Sequence, residues 1–218
     1  VCELVDLRGE VTSAFTIPWQ GLPVRATLAQ LAPAYVEADV RAHALAEARF
    51  GAGRDSDPFV FVSIGTGISC CLVQGGVPYA GARGNALVLA TGPISVPRPD
   101  GRLVKFVLEE YASGAALVQR WRGVCRSAGV ARVEEIVAVA EGGDAAANAA
   151  ASALLTDAGT VLGSAIGWLC SVLDPVAVVV GGGLGSAPGL YWQALQRSVR
   201  EHIWSEATRQ LAVRQAQL

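Results

Sequence analysis

Three short stretches of this 218-residue chain combine residue types and positions that could do chemistry: Asp39, Gly65-Thr66-Gly67 and Gly181-Gly182-Gly183. Asp39 ends a strand-like run, AYVEAD, and precedes a helix-like run. A carboxylate at the carboxyl end of a strand can act as a general base beside a bound ligand. The commoner role for an aspartate in this position is to cap the following helix, so Asp39 alone predicts no activity.

The Gly-Thr-Gly stretch lies between two apolar runs, FVFVSI and ISCCLV, and this arrangement predicts a β-hairpin. A plain turn would explain the two glycines. They would also let an anion approach the backbone, whose N–H groups can hold phosphate oxygens together with the Thr66 hydroxyl. Both interpretations stay open when the stretch is taken alone.

The third stretch follows a strand-like run, VAVVV, which opens directly into three glycines. Consecutive glycines allow a flat or anionic ligand to lie against the backbone. The stretch is not GxGxxG, and the chain contains no P-loop with its Gly-Lys-Ser/Thr. It therefore indicates a close approach without naming a class of ligand.

The secondary structure that positions these stretches is predicted to be rich in strands in the first half of the chain and mostly helical in the second half. The first half predicts a hairpin from 2–7 and 10–17, a strand at 34–39, a helix at 40–51, strands at 58–64 and 68–73, and an irregular stretch at 82–102. The second half predicts helices at 107–129 with an internal Ser-Gly break, 132–143, 144–173 and 189–204, and strands at 176–180 and from 211. Hairpins followed by strand–helix units predict an α/β fold, a mixed sheet with helices on both faces.

Composition restricts the class of protein. The chain is 52% hydrophobic and 17% charged with a net charge of −2, which favours a large core and argues against disorder. No basic stripe indicates nucleic-acid binding by this segment. The five cysteines form no CxxC motif and predict reduced thiols in a cytoplasmic protein.

The Ala-rich run 144–173 is long enough to cross a membrane, but Asn148 and Asp157 interrupt it, so a buried helix is expected instead.

Four segments taken together resemble the ROK family of sugar kinases and sugar-responsive repressors: YVEADVRAHALAEARFG, VSIGTGISCCLVQGGVPYAGARGNA, LEEYASGAALVQR and LDPVAVVVGGGLG. The resemblance covers most of the chain from about Val5. It implies an actin-like ATPase (ribonuclease H-like) fold, represented mainly by its C-terminal lobe. Residues 1–35 would be the end of the N-terminal lobe and the connection, and residues 36–218 the C-terminal lobe. The N-terminal phosphate-binding lobe would be largely missing from the chain.

The resemblance also implies roles for the three stretches. Asp39 falls on the catalytic base that takes the proton from the attacking sugar hydroxyl. Gly65, Thr66 and Gly67 fall on a phosphate-binding hairpin, and Gly181, Gly182 and Gly183 on the segment that faces the adenosine. The implied ligands are a small-molecule sugar and ATP with Mg²⁺, because phosphoryl transfer depends on neutralising phosphate charge. A homo-oligomer is expected as well.

Departures from the family pattern concentrate where the family holds its sugar. Ala38 replaces an asparagine that hydrogen-bonds the sugar, Val88 replaces a glutamate, and Thr91 replaces a histidine. Glu109 stands where the family has an acidic residue that can reach the sugar region. The stretch 96–110 should carry a zinc-binding cysteine cluster but has no cysteine, so no structural zinc is expected.

These departures leave three functions open. The first is ATP-dependent phosphorylation of a hexose or amino-hexose, glucokinase-like with a variant substrate such as kanosamine. The second is a non-catalytic, sugar-sensing transcriptional regulator whose DNA-binding domain would precede Val1. The third is an inactive structural relative. The sequence that precedes this segment in the protein would discriminate the first two, because a kinase needs an Asp-x-Gly-x-Thr phosphate hairpin there.

Overall fold

The computed structural model describes residues 1–97, 101–125, 132–142 and 144–218. The strands are β1 (Phe59–Ile64), β2 (Ile68–Gln74), β3 (Val77–Pro78), β4 (Pro93–Pro97), β5 (Leu103–Val107), β6 (Ala177–Gly181) and β7 (Ala212–Gln215). Five of them form a mixed sheet in the order β3-β2-β1-β6-β7, and β4 pairs with β5 separately. β1 is antiparallel to β2 and parallel to β6, which is in turn parallel to β7.

Helices cover both faces of the five-stranded sheet. They are α1 (Val24–Ala29), α2 (Asp39–Phe50), α3 (Glu109–Ala112), α4 (Gly114–Val124), α5 (Val133–Gly142), α6 (Ala145–Leu173), α7 (Leu190–His202) and α8 (Glu206–Arg209), with a 3₁₀ turn at Leu89–Thr91. One face packs against α2, and the opposite face packs against α6 and α7. The predicted mixed α/β architecture is therefore confirmed.

Side-chain alternation along the strands builds the two halves of the core. Val60 and Val62 of β1 face the α6 side, whereas Phe59 and Phe61 face α2. Successive strand residues point to opposite faces, so a run that is apolar at every position reads as a strand buried on both sides. This explains why FVFVSI is apolar almost throughout.

The adjacent cysteines of β2 obey the same alternation. Cys70 lies in the core on the α6 side and Cys71 in the core on the α2 side. Burial raises the pKa of Cys71 to about 11 and that of Cys170 to about 12, and it raises the pKa of Cys70 as well. These three thiols therefore behave as small apolar side chains.

The contact between α6 and α7 depends on three glycines spaced four residues apart. A Cβ on Gly159, Gly163 or Gly167 would lie 2.4–2.6 Å from a backbone carbonyl of α7. Because these three positions carry no side chain, the two helix backbones approach closely and α7 packs directly against α6.

By length and composition alone, the helix α6 could cross a membrane. In the fold, 56% of its most apolar 18-residue segment is buried. The helix begins at Ala145 and is capped by Asp144, whose carboxylate accepts hydrogen bonds from the N–H groups of Ala146 and Ala147. It ends before Pro175, which cannot continue a helix. The predicted buried helix is confirmed in its bounds and in its packing.

The predicted hairpin at the start of the chain is wrong except for one antiparallel bridge between Val5 and Val11. The chain instead bends around the buried carboxylate of Glu3, which accepts hydrogen bonds from the Ser13 hydroxyl and from the backbone N–H groups of residues 15–17. Burial alone would raise the pKa of Glu3, but these hydrogen bonds outweigh it and lower the pKa to about 2.

Two further predictions need correction. Residues 34–38 form no strand, and Asp39 already belongs to α2; Glu37 and Asp39 instead make backbone hydrogen bonds with Val1. The stretch 82–102, predicted as irregular, contains β4, which pairs with β5. Prolines at both ends of β4 conceal the strand pattern in the sequence. The part of the predicted helix 107–129 that follows residue 125 lies outside the described residues.

Candidate functional site

The Gly-Thr-Gly stretch is the tip of the β1–β2 hairpin, as predicted. Ile64 pairs with Ile68, and the N–H of Gly65 donates to the carbonyl of Gly67 at 2.9 Å. Thr66 is exposed. The backbone N–H groups of Thr66 and Gly67 donate no hydrogen bond within the described part of the chain. A Cβ on Gly65 would meet nothing within 4 Å, so the tip is open at Gly65 and carries two backbone donors without a partner in the described residues.

The first turn of α4 is docked onto this tip. The N–H of Gly114 donates to the Gly65 carbonyl at 2.8 Å, and that of Ala115 to the Thr66 carbonyl at 3.4 Å. The Ser113 hydroxyl caps the helix by accepting from the N–H of Ala116 at 3.2 Å. A Cβ on Gly114 would lie 2.8 Å from the Gly65 oxygen. The sequence Ser-Gly therefore caps α4 and allows it to touch the hairpin.

Glu109 holds the other side of the hairpin. Its Oε2 accepts from the N–H of Ile68 at 2.7 Å, and a Cβ on Gly67 would lie 2.6 Å from the same oxygen. Its Oε1 accepts no hydrogen bond among the described residues. The sequence placed Glu109 near a sugar through family resemblance, whereas the structure shows its contact with the hairpin.

The short helix α3, which begins at Glu109, is anchored at Tyr111 by a polar cluster. The Tyr111 hydroxyl donates to Oδ2 of Asp157 at 2.5 Å, and the Arg120 guanidinium donates to the same oxygen while lying 3.8 Å from the centre of the Tyr111 ring. Burial, reinforced by the bond to Asp157, raises the pKa of Tyr111 to about 12. Tyr111 therefore stays protonated and ties α3 to α6. No local sequence pattern predicted this cluster, because Asp157 lies 46 positions from Tyr111 and 37 from Arg120.

The second glycine stretch meets the hairpin at the carboxyl ends of β1 and β6. The carbonyl of Ile64 accepts from the N–H groups of Leu184 and Gly185 at 3.0 and 3.1 Å. Gly182 has a φ of +81°, and a Cβ there would lie 2.5 Å from the Ile64 oxygen. Since parallel strands place their carboxyl ends at one edge, β1 and β6 bring both glycine motifs to one place.

A cavity of about 260 Å³ opens next to the second glycine stretch. Its walls are largely apolar, and two polar side chains, Glu141 and Gln193, contribute to them. The remaining lining residues are Val137, Ala140, Leu155, Leu184, Ala187, Pro188, Gly189, Leu190 and Tyr191. The cavity is assembled by α5, α6, α7 and the loop before α7, so no single stretch of sequence signalled it.

Asp39 is the first residue of α2, and Ala38 takes the cap position that the sequence had offered to Asp39. Its Oδ1 accepts from the N–H of Val40 at 2.7 Å, and its own N–H donates to the Val1 carbonyl at 2.8 Å. The carboxylate is half-buried. Within the described ranges no hydrogen bond joins Asp39 to the Gly-Thr-Gly tip.

The loop 81–92 contacts a sequence neighbour of Asp39 near its start and a sequence neighbour of Glu109 at its end. At its start, the Gly84 carbonyl accepts from Arg41, two residues after Asp39, at 2.7 Å. At its end, the Gly92 carbonyl accepts from the N–H of Leu108, next to Glu109, at 3.0 Å. The structure thus joins the two groups of predicted site residues through one loop.

The two variant residues of this loop offer little polar grip. The Val88 side chain is 41% exposed, and the Thr91 hydroxyl donates to the Val88 carbonyl at 3.1 Å. Ala38 is buried. Among the residues that the structure describes, no group of three or more His, Cys, Asp or Glu side chains could hold a metal ion. The expected absence of zinc stays a prediction.

A family model described as the ROK family matches residues 2–218. The bifunctional enzyme NanE/NanK of Brucella melitensis is 35% identical over 172 residues, which cover 78% of this chain and 30% of that protein. The chain thus spans about a third of the length of the first curated relatives that it matches.

Two solved structures place the fold. A ROK family glucokinase from Streptomyces griseus, in complex with glucose and AMPPNP, superposes with a TM-score of 0.80 at 27% identity, covering all of this chain and 75% of that one. A ROK family transcriptional regulator, a homologue of the E. coli MLC protein, gives 0.81 at 23% identity and covers 99% of this chain and 57% of that one. The actin-like ATPase fold predicted from the sequence is confirmed.

Proposed function

The chain belongs to the ROK family, and we propose that it forms the larger part of an ATP-dependent kinase for a hexose or amino-hexose. The observation that carries the proposal is the meeting of both glycine motifs around Ile64, with free N–H donors at Thr66 and Gly67. Backbone donors beside an open glycine form a site for phosphate oxygens. A plain turn would not need the start of α4 and the Glu109 carboxylate to hold it.

The hairpin would hold the terminal phosphates of ATP. The N–H groups of Thr66 and Gly67 and the Thr66 hydroxyl donate to phosphate oxygens, while Gly65 leaves the space open. Mg²⁺, when bound with ATP, would neutralise phosphate charge. Gly114 and Glu109 keep the donors in place by holding the carbonyl of Gly65 and the N–H of Ile68.

The cavity behind Gly181–Gly183 would take the adenosine. Its size and largely apolar walls suit a flat base. Glu141 supplies a carboxylate that can accept from ribose hydroxyls or a base amine, and Gln193 supplies an amide that can both donate and accept. The hairpin and this cavity adjoin the same glycine stretch, as a nucleotide with its phosphates requires.

The sugar would lie along the loop 81–92 between Asp39 and Glu109. Asp39 takes the proton from the attacking hydroxyl as general base. The free Oε1 of Glu109 can accept from a second hydroxyl. Ala38 and Val88 offer no polar side-chain group, and the Thr91 hydroxyl already donates to the Val88 carbonyl, so these residues give little further polar contact. A site of this kind favours a hexose whose substituent near C1 to C3 differs from that of glucose.

The proposal assigns residues 1–35 to the end of an N-terminal lobe and residues 36–218 to the C-terminal lobe. Large apolar side chains in the first unit are strongly exposed: Phe15 by 86%, Leu31 by 86% and Tyr35 by 94%. The helix α1 buries no residue. An apolar surface of this size is typical of a contact with another part of a protein, here the phosphate-binding lobe. A cytoplasmic homo-oligomer completes the proposal.

A sugar-sensing transcriptional regulator is the second candidate. Its support is that a ROK family transcriptional regulator shares the fold, whereas the replacements at Ala38, Val88 and Thr91 weaken the binding of an ordinary hexose for either function. Such a protein would bind a sugar through this chain and nucleic acid through another part. Retention of Asp39 together with both glycine motifs favours the kinase.

Release of ADP by the complete protein tests the proposal. Mg-ATP is offered with glucose, mannose, N-acetylmannosamine, glucosamine and kanosamine, and sugar binding is measured in parallel by calorimetry. Mg²⁺-dependent turnover of one sugar supports the kinase, and sugar binding without turnover supports the regulator. Absence of both binding and turnover in folded protein contradicts both.

A further inference from the structure

Arg41 is a buried arginine that the catalytic proposal does not use. Arg41 is only 7% exposed. It lies on α2, two positions after Asp39. Its Nη1 donates to the Gly84 carbonyl and its Nη2 to the Val5 carbonyl, both at 2.7 Å. Its Nε donates to the Glu37 carboxylate at 2.6 Å. One guanidinium therefore contacts three separate parts of the chain.

The two carbonyls belong to segments that touch each other directly. Gly84 has a φ of +82°, and a Cβ there would lie 2.1 Å from the Val5 oxygen. Val5 is fully buried and forms the bridge to Val11 that holds the first segment together. Gly84 lies in the loop 81–92, which also carries Val88 and Thr91. Arg41 thus closes a three-way junction between the N-terminal unit, this loop and α2.

Asp39 lies inside the same junction. Its N–H donates to the Val1 carbonyl, and the Val1 backbone nitrogen donates to the Glu37 carbonyl at 2.8 Å. The first turn of α2 is therefore held from the N-terminal unit on one side and, through Arg41, from the loop on the other. A shift at this junction would move the carboxylate of Asp39 relative to the sugar loop.

The chemistry of the contact requires arginine. A guanidinium offers donors in a rigid planar fork and satisfies two diverging carbonyls and a carboxylate at once, whereas lysine is a single point charge on a flexible stem. Glu37 is 48% exposed at its side chain, so the ion pair is partly solvated. The two buried carbonyl contacts, not the ion pair, explain why the arginine is buried.

We propose that Arg41 is a positioning residue that locks the N-terminal unit (residues 1–35) to the loop 81–92 and so fixes Asp39 against the sugar. The proposal rests on the proposed function for its consequence in catalysis. Its structural part, a lock between two units, stands on the contacts alone.

Hydrogen exchange of the ligand-free complete protein tests the lock directly. Arg41→Lys and Arg41→Gln are compared with wild type and with Arg49→Gln, a control at an exposed arginine of the same helix. We expect both Arg41 variants to exchange about tenfold faster in 81–92 and 1–11, with β1 and β2 unchanged. Unchanged exchange in Arg41→Lys, or acceleration spread evenly over the sheet, would overturn the lock.

Kinetics with the same variants test its consequence. Arg41→Lys should raise KM for the sugar about tenfold or more and lower kcat, while KM for ATP changes less than twofold. Equal changes in both KM values would show a merely structural role and overturn the proposal. If wild type turns over no sugar, the proposed function fails, and hydrogen exchange still decides the lock.

Discussion

The N–H of Gly114 and the carbonyl of Gly65 form a 2.8 Å hydrogen bond that joins the first turn of α4 to the tip of the β1–β2 hairpin. The bond uses a carbonyl, so it leaves the N–H donors of the tip available. It also requires glycine at the helix start, because the two backbones approach within the space of a Cβ. The tip that we propose as the phosphate site is therefore held by a residue 49 positions away from Gly65.

Gly114→Ala should weaken ATP binding about tenfold, because the added Cβ would push Gly65 away by crowding its oxygen at 2.8 Å. Fluorescence titration with a nucleotide analogue measures the effect. Gly123→Ala is the matched control, since that glycine lies on the same helix with nothing within 4 Å of a Cβ. Equal nucleotide affinities for the two variants would contradict the docking role.

Gly163→Ala should lower the free energy of unfolding by about 1–3 kcal/mol, because its Cβ would lie 2.6 Å from the Leu195 carbonyl and force α6 and α7 apart. Thermal unfolding should show a decrease in Tm of about 2–4 °C per kcal/mol for a chain of this size. Gly123→Ala should keep or raise the Tm, since alanine is the better helix former. A Gly163→Ala variant as stable as wild type would rule out close helix contact.

Glu3 should make stability depend on acid pH. Its folded pKa of about 2 lies below the unfolded value of about 4.3. The carboxylate therefore stabilises the fold fully above pH 4.3, and this contribution is lost as the pH falls toward 2. Urea unfolding across this window should show a shallower pH dependence for Glu3→Gln than for wild type. The exposed control Glu206→Gln should follow wild type, and the same slope in all three proteins would refute the assignment.

The sequence predicted the parts of the site that local patterns encode. Alternating apolar residues on both sides of Gly65–Gly67 predicted the hairpin, and the glycines predicted a close approach. The residues that fix this hairpin were not predictable in the same way. Gly114 and Glu109 reach it across 41 or more positions of sequence, and only the packing of α3 and α4 against the sheet brings them there.

Two other features of the fold could not be predicted from local sequence patterns. The bend around Glu3 depends on one buried carboxylate that attracts three backbone N–H groups, whereas the alternation of 10–17 suggested a strand. The cavity at Glu141 and Gln193 needs three helices at once. Tertiary contacts decide both, and neither leaves a periodic signal in the sequence.

Glucose should be a poor ligand. The resemblance implies that Ala38, Val88 and Thr91 replace three hydrogen-bonding side chains; at about 0.5–1.5 kcal/mol for each bond, their loss corresponds to about 2–4 kcal/mol, or roughly 30- to 1000-fold in affinity. A hexose with an altered substituent near C1 to C3 should bind more tightly, because Val88 demands no partner. Calorimetric titration of the sugar panel measures this order, and micromolar glucose affinity would contradict the variant site.

Purified protein should contain no stoichiometric zinc, because the stretch 96–110 offers no cysteine. Residues 98–100 of this stretch lie outside the described ranges, and its remainder contributes to the β4–β5 pair. Elemental analysis after dialysis against a chelator provides the measurement. One zinc per chain, retained through dialysis, would show a site that neither the sequence nor the described residues indicate.

The kinetics of Asp39→Asn test the central claim most directly. Asparagine keeps the shape of the side chain and removes the base, so kcat for sugar phosphorylation should fall by about 10²- to 10⁴-fold. The affinity for ATP, measured on the same protein, should change less than twofold, because the hairpin tip and cavity proposed to bind the nucleotide share no hydrogen bond with Asp39 in the described part of the chain. Turnover equal to wild type in a folded Asp39→Asn protein would contradict the account.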